Sequence, residues 1–228
     1  MTTKALILDF DGLLMDTETT LLESWRWEWR RHGLLLDPTG FFADHGGDAN
    51  EARYAALEAV VGPAYERASS HALRMAYRAE LNSALKPAPG ILGWLDRAAE
   101  LGLRLAVASS SPITHVGALL DRAGLRARFE VLATGEEVPA HKPDPAVYLL
   151  ALERLGLPAE QAVAFEDTAH GVAAAHAAGL RCVAVPNPHA DHGRFTAADL
   201  LLPSAADLSL DALLARLAPP AQFDLKHG

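Results

Sequence analysis

The chain has 228 residues, half of them hydrophobic, and 29 acidic against 20 basic side chains give a formal net charge of −9. That size and apolar content suit one large α/β domain, or a core with a smaller insert, and exclude disorder over most of the chain; the acidic balance, with no basic stripe, excludes nucleic acid as an expected partner. The one cysteine, Cys182, lies in an apolar run and reads as a small buried thiol, and with no signal-like start and no run near the ~20 apolar residues of a membrane span, the expected address is cytoplasmic, with no membrane partner.

The first apolar run, Ala5–Leu8, reads as a buried strand and leads directly into Asp9, Phe10, Asp11 and Gly12, with a third acid at Asp16. Carboxylates this close to a core repel one another and resist leaving water, so they need solvent or a compensating positive charge. Residues 17–86 contain no convincing strand. They carry Trp25, Trp27 and Trp29 and then Ala-rich helical patterns over Asn50–Val61 and 64–84. An all-helical block after the first strand reads as an inserted domain, residues 17–86, between core segments 1–16 and 87–228, with the prolines of 86–90 as the linker. Trp25 and Trp29 share a helix face and are expected to pack. His45, Gly46 and Gly47 interrupt the helical pattern and, with Thr17, are the residues of this block expected to face a substrate.

Beyond residue 100 a stop signal recurs. Leu101-Gly102-Leu103, Ala123-Gly124-Leu125, Leu155-Gly156-Leu157 and Ala178-Gly179-Leu180 each end a helical pattern with a glycine suited to a left-handed cap and an apolar residue to pack back. Ser111 before Pro112 reads as an N-cap. Short apolar runs at 103–108, 129–133, 162–165 and 182–185 alternate with these helices, and 200–202 offers an edge. The pattern predicts βαβ units, a parallel sheet and a doubly wound, Rossmann-like α/β core.

Ligands of such sheets bind beyond the carboxyl ends of the strands. Asp9 and Asp11 follow the first strand, Ser109, Ser110 and Ser111 the second, and Glu166, Asp167 and Thr168 the fourth, while Lys142 precedes a helix beginning near Asp144. Each group has a mundane reading alone: a turn at Asp11-Gly12, caps at the serines and at Thr168, a solvated Lys142. Their appearance in order at successive strand ends points to one site. Acidic oxygens suit Mg2+, a serine and a lysine suit a phosphate, and paired carboxylates suit attack on phosphorus and proton transfer to the leaving oxygen. A calcium loop is excluded, because Leu14 and Thr20 stand where glycine and glutamate are needed. His170 falls near the same rim, and the histidine-bearing segment 189–192 reads as a solvated loop.

The set "LILDFDGLLMDTE", "AVASSSP", "HKPDPAVY" and "AVAFEDTAHG" resembles the four motifs of the haloacid dehalogenase superfamily, in order and over most of the chain. The "DGLLMDTE" continuation and the helical insert resemble the subgroup with an α-helical cap, which includes β-phosphoglucomutase and sugar-phosphate phosphatases. The resemblance implies Asp9 as nucleophile and Asp11 as acid/base. It implies Mg2+ held by the Asp9 carboxylate, the Asp11 backbone carbonyl and Asp167, with Glu166 close by, and a phosphoryl group bound by Ser109, Ser110 and Lys142. An acid at Asp11 argues against dehalogenation. Leu21 stands where mutases of the subgroup carry a histidine, and Ala49 or Asn50 where they carry an arginine. The expectation is a Mg-dependent phosphomonoesterase acting on a small phosphate ester, with a phosphomutase and a non-catalytic phosphate-binding protein as alternatives. Nothing sets the oligomeric state, and a monomer is the default.

Overall fold

A computed structural model describes residues 2–42 and 50–218. Its centre is a six-stranded, all-parallel sheet of β1 (Ala5–Leu8), β2 (Arg104–Ser109), β3 (Val131–Thr134), β4 (Ala162–Glu166), β5 (Arg181–Ala184) and β6 (Leu200–Leu201), in the order β3-β2-β1-β4-β5-β6. The expected strands are all present, and β6 is the expected edge. Phe129 is buried but precedes β3, because a 3-10 turn at Arg126–Arg128 takes up the start of the expected run.

Both faces of the sheet are covered, and the strand sequences alternate accordingly. Leu6, Leu8, Leu105, Val107, Val163, Phe165 and Val183 turn to one face and pack under α4 (Ile91–Glu100), α5 (Ile113–Arg122) and α8 (Leu210–Leu217). Ala5, Ile7, Ala106, Ala108, Ala162, Ala164, Cys182 and Ala184 turn to the other, under α6 (Ala146–Leu155) and α7 (Ala169–Ala177). Side chains alternate with a period of two, so one strand builds a bulky face and a thin face together. The thin, alanine-rich face brings the backbones of α6 and α7 close to the strand ends. Cys182 lies in it, fully buried.

The glycine stops behave as their sequence suggests. Gly102, Gly124, Gly156 and Gly179 all have positive φ. In each case the next residue's N–H returns to a carbonyl five residues back, as in Leu125 N to Leu120 O at 2.9 Å and Leu180 N to Ala175 O at 3.0 Å. These reverse turns start β2, β5 and the 3-10 segments at fixed points. The start of α5 differs from expectation: Ser111 does not cap it, Pro112 takes the N-cap position, and Ile113 N donates to Glu136 Oε1 at 3.2 Å. Likewise α6 begins at Ala146, with Asp144 Oδ1 accepting from Ala146 N at 2.9 Å.

Between β1 and β2 come α1 (Thr17–Arg31), α2 (Asn50–Val61), α3 (Arg67–Ser83) and then α4. α1 and α2 share a small apolar cluster of Trp25, Tyr54 and Leu57, joined by Tyr65 ahead of α3, with Leu21 and Trp29 at its margin. Trp25 is a packing residue, as expected, and lies 4.4 Å from the Tyr54 ring. A buried Arg74 crosses this cluster, stacked on Trp25 at 4.3 Å and donating to Tyr54 OH at 2.7 Å. Among the described residues no helix is long and apolar enough to cross a membrane.

The thin face sets a directional expectation. Replacing Ala164 with Leu should force α6 and α7 off the sheet and lower stability by about 1–3 kcal/mol, read as the midpoint of urea unfolding, because a close-packed interior has no room for added methylenes.

Candidate active site

The register of the sheet assembles the site. Leu8 pairs with both Val107 and Phe165, so Asp9, the next residue, emerges between the ends of β2 and β4, with its N–H donated to Phe165 O at 2.9 Å. Ser109 ends β2, Glu166 ends β4 and Asp167 follows it. β1 is also where strand order reverses, the crevice at which an open parallel sheet presents its ligand-binding edge.

Oxygens of Asp9, Glu166 and Asp167 lie within 4.8 Å of one another, and all three residues are buried. Lys142 enters this cluster from the chain ahead of α6. Its Nζ donates to Asp9 Oδ1 at 2.5 Å, to Glu166 Oε1 at 2.6 Å and to Ala108 O at 2.8 Å, and it lies 5.0 Å from the Tyr148 ring centre. Burial opposes its charge, but the two carboxylates outweigh it and hold the ammonium protonated well above its usual range. Three carboxylates against one ammonium leave the cluster short of positive charge. Burial accordingly pushes Asp9 up to about 8 against the pull of Lys142, and pushes Asp167 well above the carboxylate range, with Asp9 and Glu166 adding repulsion. Asn187 Nδ2 donates to Asp167 Oδ2 at 2.8 Å, while Asp9 has the lysine.

Asp11, two residues on, lives differently. It is part-exposed, and its carboxylate is gripped by Thr17 Oγ1 at 2.7 Å, Ser111 Oγ at 2.6 Å and His115 Nε2 at 2.9 Å. Burial works against its charge, yet the hydrogen bonds and charge of His115, then Ser111 and Thr17, hold it well below the usual carboxylate range. Its carboxylate is thus held by three side chains from α1, the end of β2 and α5.

Two glycines make this packing possible. Gly12 has φ +82°, and a Cβ there would stand 2.0 Å from Asp167 Oδ2. A Cβ on Gly171 would stand 1.9 Å from Glu166 Oε2, so only glycine lets the first turn of α7 seat that carboxylate. Thr168 caps the same helix by accepting from Gly171 N at 3.0 Å.

The sequence-predicted residues Asp9, Asp11, Ser109, Lys142, Glu166 and Asp167 thus come together at one edge. Ser109 is buried, with its Oγ accepting from Ser111 N at 3.0 Å, while Ser110 is exposed at the lip. Glu166 faces Lys142 and Tyr148, whose OH donates to it at 2.5 Å. Thr17, expected to face a substrate, is buried and spends its hydroxyl on Asp11. His45, Gly46 and Gly47 lie outside the described residues. Segment 189–192 is not uniformly solvated: His189 is half-buried, bonds Thr19 Oγ1 at 2.9 Å and stacks on Phe42 at 5.1 Å.

Three contributors, Asn187, His115 and Tyr148, were not anticipated, while Ser111, expected at the rim of β2, bonds Asp11. Asn187 stands beyond β5 and answers to the same strand-end rule as the others. Ser111 read as a cap, His115 lies one helical turn after it, and Tyr148 sits inside an apolar helix face where the pattern signals only core. The donor set of buried hard oxygens, with an unmet need for positive charge, fits a small divalent cation such as Mg2+.

A family model for haloacid dehalogenase-like hydrolases matches residues 3–179. YhcW of Bacillus subtilis (strain 168), whose name marks it as a candidate phosphatase, is 36% identical over 214 residues, covering 94% of this chain and 97% of its own. Fructose-1-phosphate phosphatase YqaB of Escherichia coli (strain K12) is 32% identical over 183 residues, 79% of this chain and 95% of its own. The crystal structure of CbbY from Rhodobacter sphaeroides in complex with phosphate superposes with a TM-score of 0.73 at 32% identity, covering 91% of this chain and 96% of that one.

The raised acids give a pH signature. Asp9 rises from 3.8 to about 8 and Glu18 from 4.5 to about 7, so the folded state keeps protons that the unfolded chain has released, and stability falls as pH climbs across that window. In EDTA the melting midpoint should drop from pH 5 to pH 8. Mg2+ at roughly a hundredfold excess over its Kd should restore it by about 5–10 °C at pH 8, and by less at pH 5.

Proposed function

The chain belongs to the haloacid dehalogenase-like hydrolases, and on that premise we propose that it is a Mg-dependent phosphatase of small phosphorylated metabolites, sugar phosphates foremost. The observation that carries the reading is the convergence of Asp9, Glu166 and Asp167 on one edge with Lys142 Nζ 2.5 Å from Asp9 Oδ1. Relatives named as phosphatases, and a CbbY structure titled as a phosphate complex, support it.

Asp9 is the nucleophile. Its carboxylate attacks phosphorus, the ester oxygen leaves, and an aspartyl-phosphate forms; water then attacks that phosphorus and returns the Asp9 carboxylate and inorganic phosphate. Asp9, Asp167 and the Asp11 carbonyl would hold Mg2+, with Glu166 behind them, and the ion when bound supplies positive charge that lets a phosphate dianion meet a carboxylate. Lys142 stays protonated throughout and binds phosphoryl oxygens from the other side, with Ser109 and Ser110 on the lip of β2 as further donors. Glu166 and Tyr148 orient that lysine.

Asp11 moves the protons. Held ionised in the resting structure, it is set to take a proton from water in the second half of the cycle. For the first half it must carry a proton to the leaving oxygen, and His115, 2.9 Å from its Oδ1, is the titratable partner that exchanges one with it. The helices α1, α2 and α3 act as the lid above this chemistry.

Hydrolysis is favoured over transfer to a second sugar hydroxyl by Leu21, which packs at the margin of the lid's apolar cluster and puts no proton carrier at that position.

A screen of phosphate monoesters with and without Mg2+, read as phosphate release, tests the reading. Turnover should require the ion. Asp9→Asn should cut kcat by at least about 10⁴-fold without loss of the folded state, since it removes the attacking group outright. Wild-type turnover in Asp9→Asn would remove Asp9 from the role.

A further inference from the structure

One contact joins the lid to the far side of the core and then runs on to the carboxylate cluster. Thr19, in the first turn of α1, and His189, in the loop beyond β5, are 170 positions apart in the chain, and Thr19 Oγ1 meets His189 Nε2 at 2.9 Å. The His189 ring also lies nearly parallel to that of Phe42, which stands between α1 and α2 in the chain, with 7° between planes and 5.1 Å between centres. One imidazole thus grips the helical block at two points. From the same residue a second contact runs inward: the His189 N–H donates to Asn187 Oδ1 at 2.9 Å, and Asn187 Nδ2 donates to Asp167 Oδ2 at 2.8 Å.

A backbone N–H can only donate, so it decides which end of the amide faces which way. With Oδ1 turned to His189, the buried Asn187 must aim its NH2 at Asp167, a member of the cluster whose oxygens suit a cation. Pro186 and Pro188 flank Asn187. Each proline fixes its own φ and restricts the residue before it, so a shift of His189 is not absorbed by a soft dihedral at 188 and passes to the asparagine. The loop adds a bond of its own, Ala190 N to Asn187 O at 3.0 Å. Phe42 also walls a cavity of about 40 Å3 that reaches Asp167 and Asn187, so the ring stacked on His189 borders the space beside that carboxylate. Groups that hydrogen-bond a metal ligand from outside orient it and tune its affinity.

We propose that His189 is a positioning residue that couples the lid to the cation cluster: latched to Thr19 and Phe42, it holds Asn187 in the orientation that sets the Asp167 carboxylate, so a divalent cation binds the latched protein more tightly than the unlatched one. This rests on the cation reading of the cluster and adds a regulation of it. Coupling of this kind is reciprocal, and a bound cation in turn favours the latched lid.

Calorimetric titration of the protein with MgCl2, with no substrate present, tests the coupling. Asn187→Ala should weaken Mg2+ binding by about 10- to 100-fold, the usual effect of removing a group that orients a metal ligand. His189→Ala and Thr19→Val, which cut the latch from its two sides, should each weaken it by about 3- to 10-fold, the size of one net hydrogen bond, while His192→Ala, exposed in the same loop, keeps the parent's Kd. In the Asn187→Ala background His189→Ala should cost nothing further, because it acts through that asparagine. Thr19→Val preserves the shape of the side chain, and its unfolding midpoint in EDTA should match the parent's, which separates a lost latch from a lost fold. An unchanged Kd in either His189→Ala or Thr19→Val, an equal loss in His192→Ala, or losses that simply add to that of Asn187→Ala would overturn the coupling. A parent that binds no Mg2+ at all would instead remove the cation reading beneath it.

Discussion

The site depends on one buried ammonium. Lys142 reaches Asp9, Glu166 and the Ala108 carbonyl at once, and without it three carboxylates would stand together at the edge of an apolar sheet. Removing a charge from water is tolerated only when a partner of opposite sign and good hydrogen-bond geometry replaces the solvent. One lysine cannot neutralise three acids. The remaining deficit leaves the cluster with the charge and the hard oxygens that suit a divalent cation.

The sheet is built to hold this arrangement still. Small residues on one face of β1, β2, β4 and β5 let α6 and α7 approach, so Tyr148 of α6 reaches Glu166 and the first turn of α7 closes over the same carboxylate through Gly171. Bulky residues on the opposite face, Leu8 and Phe165 among them, anchor the strands whose ends carry Asp9 and Glu166. A catalytic acid at a strand end inherits the rigidity of its ladder, whereas one on a loop would need its own supports.

Much of this was legible in the amino-acid order, and the reason is physical. Strands buried on both sides must be short and apolar, helices between them must stop, and a glycine stop such as Gly124 or Gly179 leaves a mark that survives without coordinates. Polar residues directly after such strands have nowhere to go but the ligand edge, which is why Asp9, Ser109 and Asp167 could be placed together. The strand-end rule also covers Asn187. What could not be read was pairing by side chains from helix interiors. Nothing in the order of residues tells whether His115 turns to solvent or to Asp11, or that Ser111 serves a carboxylate and leaves the helix end to Pro112.

Asp9 and Asp11 are one residue apart and chemically alike, yet the fold drives their proton affinities in opposite directions. Asp9 is enclosed with two further acids, and burial raises its hold on a proton; Asp11 is ringed by three donors that favour its ionised form. Two like groups held in unlike surroundings can take unlike roles in one reaction. Lys142 pulls Asp9 back toward its ionised form, while burial and Glu166 oppose it. The same short stretch after β1 thus holds one acid in a carboxylate cluster and the other in a ring of hydroxyl and imidazole groups.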